Sequence, residues 1–166
     1  SGVRPAALLL THAHFDHVLD AAMIQERWQC PIYAFADPTP DLTLESMFAS
    51  FGPALAVAPY RVDHHLGSAA SFELAGLCFR VFHVPGHSPD SVIFLPDSTG
   101  ILFGGDVLFH AGIGRDDLPG GDGDLLRKGI REKVYTLDED LKVLSGHGEP
   151  TTVGQEKRTN PFVRPE

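Results

Sequence analysis

At 166 residues the chain is long enough for one domain with a substantial core, and no internal repeat or low-complexity tract divides it. Its 13 Lys and Arg against 22 Asp and Glu give a formal charge of −9, with the basic residues scattered apart from small groups at Arg127 to Lys133 and Lys157-Arg158. That balance excludes a nucleic-acid-binding role, which needs a basic stripe, and no apolar run is long enough to span a bilayer. No stretch reads as a leader peptide, and Cys30 and Cys78 belong to no CxxC pair, so they read as buried small hydrophobes of a reducing compartment. A cytoplasmic protein without nucleic-acid or membrane partners is expected.

Val3 to Leu10 reads as a fully buried strand, because its Ala and Leu run does not alternate. It delivers Thr11-His12-Ala13-His14-Phe15-Asp16-His17, three imidazoles and a carboxylate within six residues. In extended backbone, residues two apart project to the same side, so His12, His14 and Asp16 can converge; a helix would turn His12 and His14 roughly 200° apart. Imidazole nitrogen with carboxylate oxygen suits zinc, manganese or iron, so the cluster predicts a transition-metal site before any particular metal. From His17 to Gln29 the spacing of Val18, Ala21, Ala22, Ile24 and Trp28 predicts a helix, and Pro31 to Phe35 predicts a strand. Together they form a βαβ unit with its site at the carboxyl end of the first strand.

A second helix is predicted over Pro38 to Phe51, closed by Gly52-Pro53. Arg61 to Leu66 and Ser71 to Val84 read as strands, the latter turning at Ala75-Gly76, and the Pro85-Gly86 turn then holds His87 on a stiff loop. Ser91 to Leu95 and Ile101 to Phe103 are strands joined by the turn from Pro96 to Gly100. The second runs into Gly104-Gly105-Asp106, where glycine lets backbone approach a ligand closely. A Gly- and Asp-rich loop from Gly112 to Gly123 precedes a helix over Asp124 to Tyr135, and Leu141 to Leu144 is the last strand, ending in Gly146-His147-Gly148. Thr152 to Gln155 reads as a capping box opening a short helix that stops near Asn160-Pro161.

This ordered set, His12-x-His14-x-Asp16-His17, then His87 in Pro-Gly-His-Ser, Asp106 in Gly-Gly-Asp and His147 in Gly-His-Gly, resembles the metallo-β-lactamase superfamily. Within it the likeness is to the glyoxalase II-like (hydroxyacylglutathione hydrolase-like) hydrolases, and the stretches Gly114 to Gly121 and Thr151 to Phe162 share it. The resemblance implies an α/β fold, an αββα sandwich of two sheets with helices outside. Members carry several strands before the first histidine motif, where only Val3 to Leu10 stands here, so the sandwich is expected to be incomplete at its N-terminal side. An open sheet edge of that kind predicts a chain that forms a homodimer or is unstable.

The resemblance also implies that His12, His14 and His87 hold one metal, that Asp16, His17 and His147 hold another, and that Asp106 bridges them. The donor count agrees, since seven donors are too many for one four-coordinate ion. The expected cofactors are two divalent metal ions, zinc first, with iron or manganese as the other candidates. The expected reaction is hydrolysis of a small thioester or ester by a hydroxide held between the metals, with Asp16 and Asp106 as the catalytic carboxylates and Asp106 able to take the nucleophile's proton. Glyoxalase II enzymes proper append a helical domain with glutathione contacts; no counterpart follows Asn160-Pro161-Phe162, which leaves the thiol half of the substrate open. Two other readings compete: a persulfide dioxygenase, holding one iron through His12, His87 and Asp106, and a metal-binding remnant without activity. Of the remaining histidines, His83 is best placed to support the site, while His64, His65 and His110 are expected on the surface or in packing.

Overall fold

The structure, a computed structural model, describes residues 2–48, 50, 56–67 and 71–165. In chain order it contains β1 (Leu8–Leu9), α1 (Phe15–Val18), α2 (Ala21–Trp28), β2 (Ile32–Ala34), α3 (Pro40–Thr43), α4 (Glu45–Phe48) and β3 (His64–His65). Then follow β4 (Ser71–Leu74), β5 (Leu77–His83), β6 (Val92–Pro96), β7 (Ile101–Gly105), β8 (Leu108–Phe109), β9 (Gly112–Ile113), α5 (Gly123–Gly129), β10 (Lys142–Ser145), β11 (Thr151–Thr152) and α6 (Val153–Thr159). Among the described residues, no helix is long and apolar enough to cross a membrane.

Successive strand residues point to opposite faces, and here that alternation sorts the apolar side chains into three layers of contact. Leu8, Leu10, Ile32 and Ala34 pack with Val18 and Ala21 of α1 and α2. Their neighbours Leu9, Tyr33 and Phe35 pack with Phe79, Val81, Val92 and Phe94 of the second sheet. On the far side of that sheet, Ile93, Leu95 and Leu102 meet Leu126, Ile130 and Val134 of the α5 segment and Val153 of α6. The layers therefore run helix, sheet, sheet, helix. The first sheet has the order β1-β2-β3 and is parallel; the second has the order β11-β10-β7-β6-β5-β4 and is mixed. All of β6 is buried, because both of its faces are covered, which explains its unbroken Val-Ile-Phe-Leu run.

Four expected elements differ in extent. Of Val3 to Leu10 only Leu8 and Leu9 pair, and they are half-buried while residues 2–6 are exposed: among the described residues β1 pairs with β2 alone. Helix begins at Phe15 rather than His17 and breaks between Val18 and Ala21, the second piece ending at left-handed Gln29 (φ 49°). The helix expected over Pro38 to Phe51 starts as its sequence suggests, with Thr39 Oγ1 accepting from the Leu42 amide and Pro40 in the first turn, but left-handed Leu44 (φ 61°) divides it. Its expected end, Phe51-Gly52-Pro53, lies outside the described residues. Finally, the Asp124 to Tyr135 helix becomes α5 followed by a π-helical turn, Ile130–Val134, in which the Tyr135 amide bonds the Ile130 carbonyl. Leu126, Ile130 and Val134 recur every four residues, and the wider turn keeps all three on the buried face.

The chain end is fastened by one buried carboxylate. Glu156 is 0% exposed and accepts from Thr151 Oγ1 at 2.5 Å, the Ala111 amide at 3.0 Å and Asn160 Nδ2 at 2.8 Å. Asn160 Nδ2 also reaches the Gly112 carbonyl at 2.9 Å, so α6 is tied to the β8–β9 hairpin. Burying an acid is tolerable only with its acceptors filled in this way. Of the expected capping box the N-cap half is seen, with Thr152 Oγ1 accepting from the Gln155 amide.

Candidate metal centre

The sequence-predicted donors follow β1, β5, β7 and β10, and register puts the ends of these strands on one side of the sandwich. The Val92 amide donates to the Thr11 carbonyl at 2.8 Å, which fastens the first histidine loop to the second sheet. His12, His14 and His87 bring ligand atoms within 4.8 Å of one another; so do Asp16, His17 and His147, and so do His12, His17 and Asp106. All seven donors are thus brought together. Asp106 lies between the two outer groups: its Oδ1 is 3.5 Å from His17 Nε2, and its Oδ2 is 3.6 Å from His87 Nε2 and 3.5 Å from His147 Nε2. The expectation that Asp16 points with His12 and His14 fails, because the extended stretch stops at His14 and α1 begins at Phe15. Asp16 instead faces His147, 3.1 Å away.

Four buried atoms here have no hydrogen-bond partner: His12 Nε2, His17 Nε2, His87 Nε2 and Asp106 Oδ1. Each such atom costs about 1–3 kcal/mol if nothing answers it, and four converging on one point is the arrangement a cation resolves. The tautomer of His87 is fixed for that purpose. Its Nδ1 lies 2.8 Å from the Arg115 carbonyl, which can only accept, so Nδ1 carries the proton and Nε2 offers its lone pair. Burial, followed by the neighbouring imidazoles, lowers His12 well below its ordinary 6.5 and His14 to about 4, which keeps both as neutral donors. Burial also works against charge on His17 and Asp106, but the attraction between the two, 3.5 Å apart, outweighs it, raising His17 and lowering Asp106.

A pH prediction follows for the metal-free protein. His14 takes its proton near 4 when folded and near 6.5 when unfolded, so between those values the unfolded chain binds the proton first. Stability is full above about 6.5 and falls as pH drops toward 4; His12 and Asp106 act in the same direction, His17 in the opposite one. The urea midpoint is expected to be lower at pH 5 than at pH 7.5, with the difference reduced in a His12→Gln, His14→Gln double variant. An unchanged midpoint would contradict the burial argument.

Glycine makes the convergence sterically feasible. A Cβ on Gly146 would overlap Asp106 Oδ1 and lie 2.7 Å from His17 Cε1, and one on Gly114 would overlap the Asp106 carbonyl and lie 3.0 Å from His87 Cβ. Sequence reasoning missed two supports. Arg115 contributes through its backbone carbonyl, which side-chain chemistry does not announce. Asp90, 3% exposed, accepts from Ser88 Oγ and from the Ala13 amide, and so ties the His87 loop to the peptide between His12 and His14; burial raises its pKa. The Ser-Pro-Asp spacing hints at a turn but not at burial. His83 does brace the site from one step away: Nε2 donates to the Pro89 carbonyl at 2.8 Å, and the ring stacks on Phe35 at 4.0 Å. His64 stacks on Tyr33, His65 pairs with Asp37 and His110 is exposed.

Five of the donors, His14, Asp16, His87, Asp106 and His147, line a cleft of about 440 Å³ whose walls are Phe15, Leu44, Phe109, Ile113, Arg115 and Leu118. The left-handed turn at Leu44 brings that wall in, which the helical reading of this segment could not foresee.

Comparison with known proteins matches the metallo-beta-lactamase superfamily to residues 1–147. Hydroxyacylglutathione hydrolase GloC of Haemophilus influenzae is 39% identical over 160 residues, covering 94% of this chain and 74% of that protein. Among solved structures, BLEG-1 B3 metallo-beta-lactamase superposes with a TM-score of 0.90 at 40% identity, covering 97% of this chain and 78% of that one. TTHA1623 in a di-iron-bound form gives a TM-score of 0.84 at 37% identity, covering 98% and 79%. The superfamily match runs through His147, the last of the converging donors, and the chain belongs to the metallo-beta-lactamase superfamily.

Proposed function

We propose that the chain is a metal-dependent hydrolase of a small thioester or ester. His12, His14 and His87 would hold one divalent ion, Asp16, His17 and His147 a second, and Asp106 would be shared between them. The observation that carries this reading is the set of four partnerless buried atoms, two of them on His87 and Asp106, which line a cleft with largely apolar walls. Two divalent ions there supply Lewis acidity toward a carbonyl oxygen and lower the pKa of water toward neutrality. The protein's own part is positioning. The Arg115 carbonyl fixes His87, burial keeps His12 and His14 neutral, and the carboxylate of Asp106, with oxygens facing both groups, can accept a proton from the attacking water. Asp16 lines the cleft with its side chain 39% exposed. Phe15, Phe109, Ile113 and Leu118 exclude bulk water, which strengthens every electrostatic interaction on the floor.

The likeness to GloC supports a thioester, and zinc is the first choice of metal, with the di-iron neighbour supporting iron as the other. The test is elemental analysis together with assays on a thioester, an ester, a lactone and a persulfide. Two ions per chain with thioester or ester turnover is the expected result. One iron per chain with oxygen uptake on the persulfide would replace this reading by an oxidative one, and metal binding without any turnover would reduce it to a binding site.

A further inference from the structure

We infer that Leu44 determines which acyl groups this site accepts: on the hydrolase reading proposed above, its side chain closes the acyl end of the cleft and restricts the protein to short acyl chains. Two independent observations meet at this residue. Leu44 is a wall of the cleft and, at 3% exposed, the most buried apolar residue there. It also holds a left-handed backbone (φ 61°), a conformation that crowds any Cβ and that glycine, and less often Asn or Asp, adopts routinely. Among the described residues the other non-glycine positions of positive φ are Gln29, Ala75, Ser98 and Ala111, so Leu44 is the one bulky apolar side chain kept in that conformation. Glycine would serve better if the turn were needed for chain direction alone; a strained leucine at a cleft wall marks the side chain itself as the useful part.

The turn is fastened from both sides. Before it, Thr39 Oγ1 accepts from the Leu42 amide at 3.2 Å; after it, the Glu45 carboxylate accepts from the Val57 amide at 2.5 Å and from Thr43 Oγ1 at 3.1 Å. Phe109 and Ile113, also in the walls, lie on the β8–β9 hairpin that Glu156 and Asn160 pin to α6. The apolar slot is therefore set before substrate arrives, and a fixed slot discriminates by size. The reacting carbonyl belongs over the donors and the ions proposed for them, which leaves the walls to meet the groups on either side of it. Arg115 and His147, with side chains 59% and 58% exposed, mark the open side, through which a thiol can leave. The closed side, where Leu44 stands, is left for the acyl chain.

The experiment measures kcat/KM of the metal-loaded protein on the acetyl and hexanoyl thioesters of glutathione, so that the thiol is constant and only acyl length changes. The wild type is expected to favour the acetyl thioester. Leu44→Gly, which removes the side chain and suits the left-handed backbone, is expected to shift the ratio toward hexanoyl at least about tenfold, the scale on which an apolar pocket separates chains that differ by a methylene. Leu44→Ala, which shortens the side chain without loosening the turn, is expected to move the ratio the same way. Reading the ratio within one preparation cancels any loss of folded protein. A wild-type preference for hexanoyl, or a ratio that neither variant moves toward hexanoyl, overturns the inference while the hydrolase reading survives. Turnover of neither thioester by the wild type overturns the thioester reading, and this inference falls with it.

Discussion

Asp106→Ala is expected to lower bound metal from two ions per chain toward one or fewer and to cut turnover at least about a hundredfold, the scale on which even outer-shell partners of a metal act. The reason lies in where the carboxylate stands. Its two oxygens face His17, His87 and His147, so it reaches members of both outer groups and stands where both ions could share it. Without it, two cations would sit close together with no shared anion to offset their repulsion. The metal-free variant should not suffer in parallel. Asp106 Oδ1 is buried and partnerless, so truncation removes a penalty as well as a contact, and thermal stability without metal should change little. What shrinks is the stabilisation gained on adding zinc, since a ligand stabilises only in proportion to its occupancy of the folded state. Calorimetry with and without metal separates these effects, and full activity in Asp106→Ala would reject the shared role.

The fold was legible wherever a signal was local. An unbroken apolar run gave β6, and the Leu126, Ile130, Val134 stripe gave the helix behind it, because burial on a repeating face leaves its period in the sequence. The donors were legible because each follows a strand and sits beside glycine, as His87, Asp106 and His147 do, or among other donors, as His12, His14, Asp16 and His17 do. Distance along the chain hid the rest. Glu156 looks like an ordinary helix-surface acid, yet it is fully buried because Ala111 and Thr151 bring donors to it, and no pattern around residue 156 records that. Leu44 entered the cleft wall through a left-handed turn that apolar spacing reads as continuous helix. Strand alternation alone put Asp16 with His12 and His14, because the switch from extended chain to helix falls between His14 and Asp16, inside the motif itself; the resemblance grouped it with His17 and His147, where the geometry has it. Arg115 acts through a carbonyl that every residue type possesses.

Gly146→Ala is expected to lower metal affinity by roughly ten- to a hundredfold, as loss of an outer-shell partner does, through one added methyl group. Gly146 does not have a positive φ, so alanine can adopt its backbone without strain and would, if anything, stiffen the unfolded chain less favourable to disorder. The whole effect must therefore come from space. The new Cβ would overlap Asp106 Oδ1 and press on the edge of the His17 ring at 2.7 Å, displacing the shared donor and one donor of the second group. Because the residue is exposed and both obstacles are side chains, the metal-free fold should tolerate the change. Gly114→Ala makes the contrast: it is buried, its Cβ would meet the Asp106 backbone carbonyl, and a carbonyl held by the chain cannot swing aside, so the fold itself should lose stability. Competition against a chromophoric chelator gives the affinities, and urea unfolding of the metal-free variants gives the stabilities. Wild-type affinity in Gly146→Ala would mean that the metal does not depend on Asp106 and His17 where they now stand, and would undo the assignment of both.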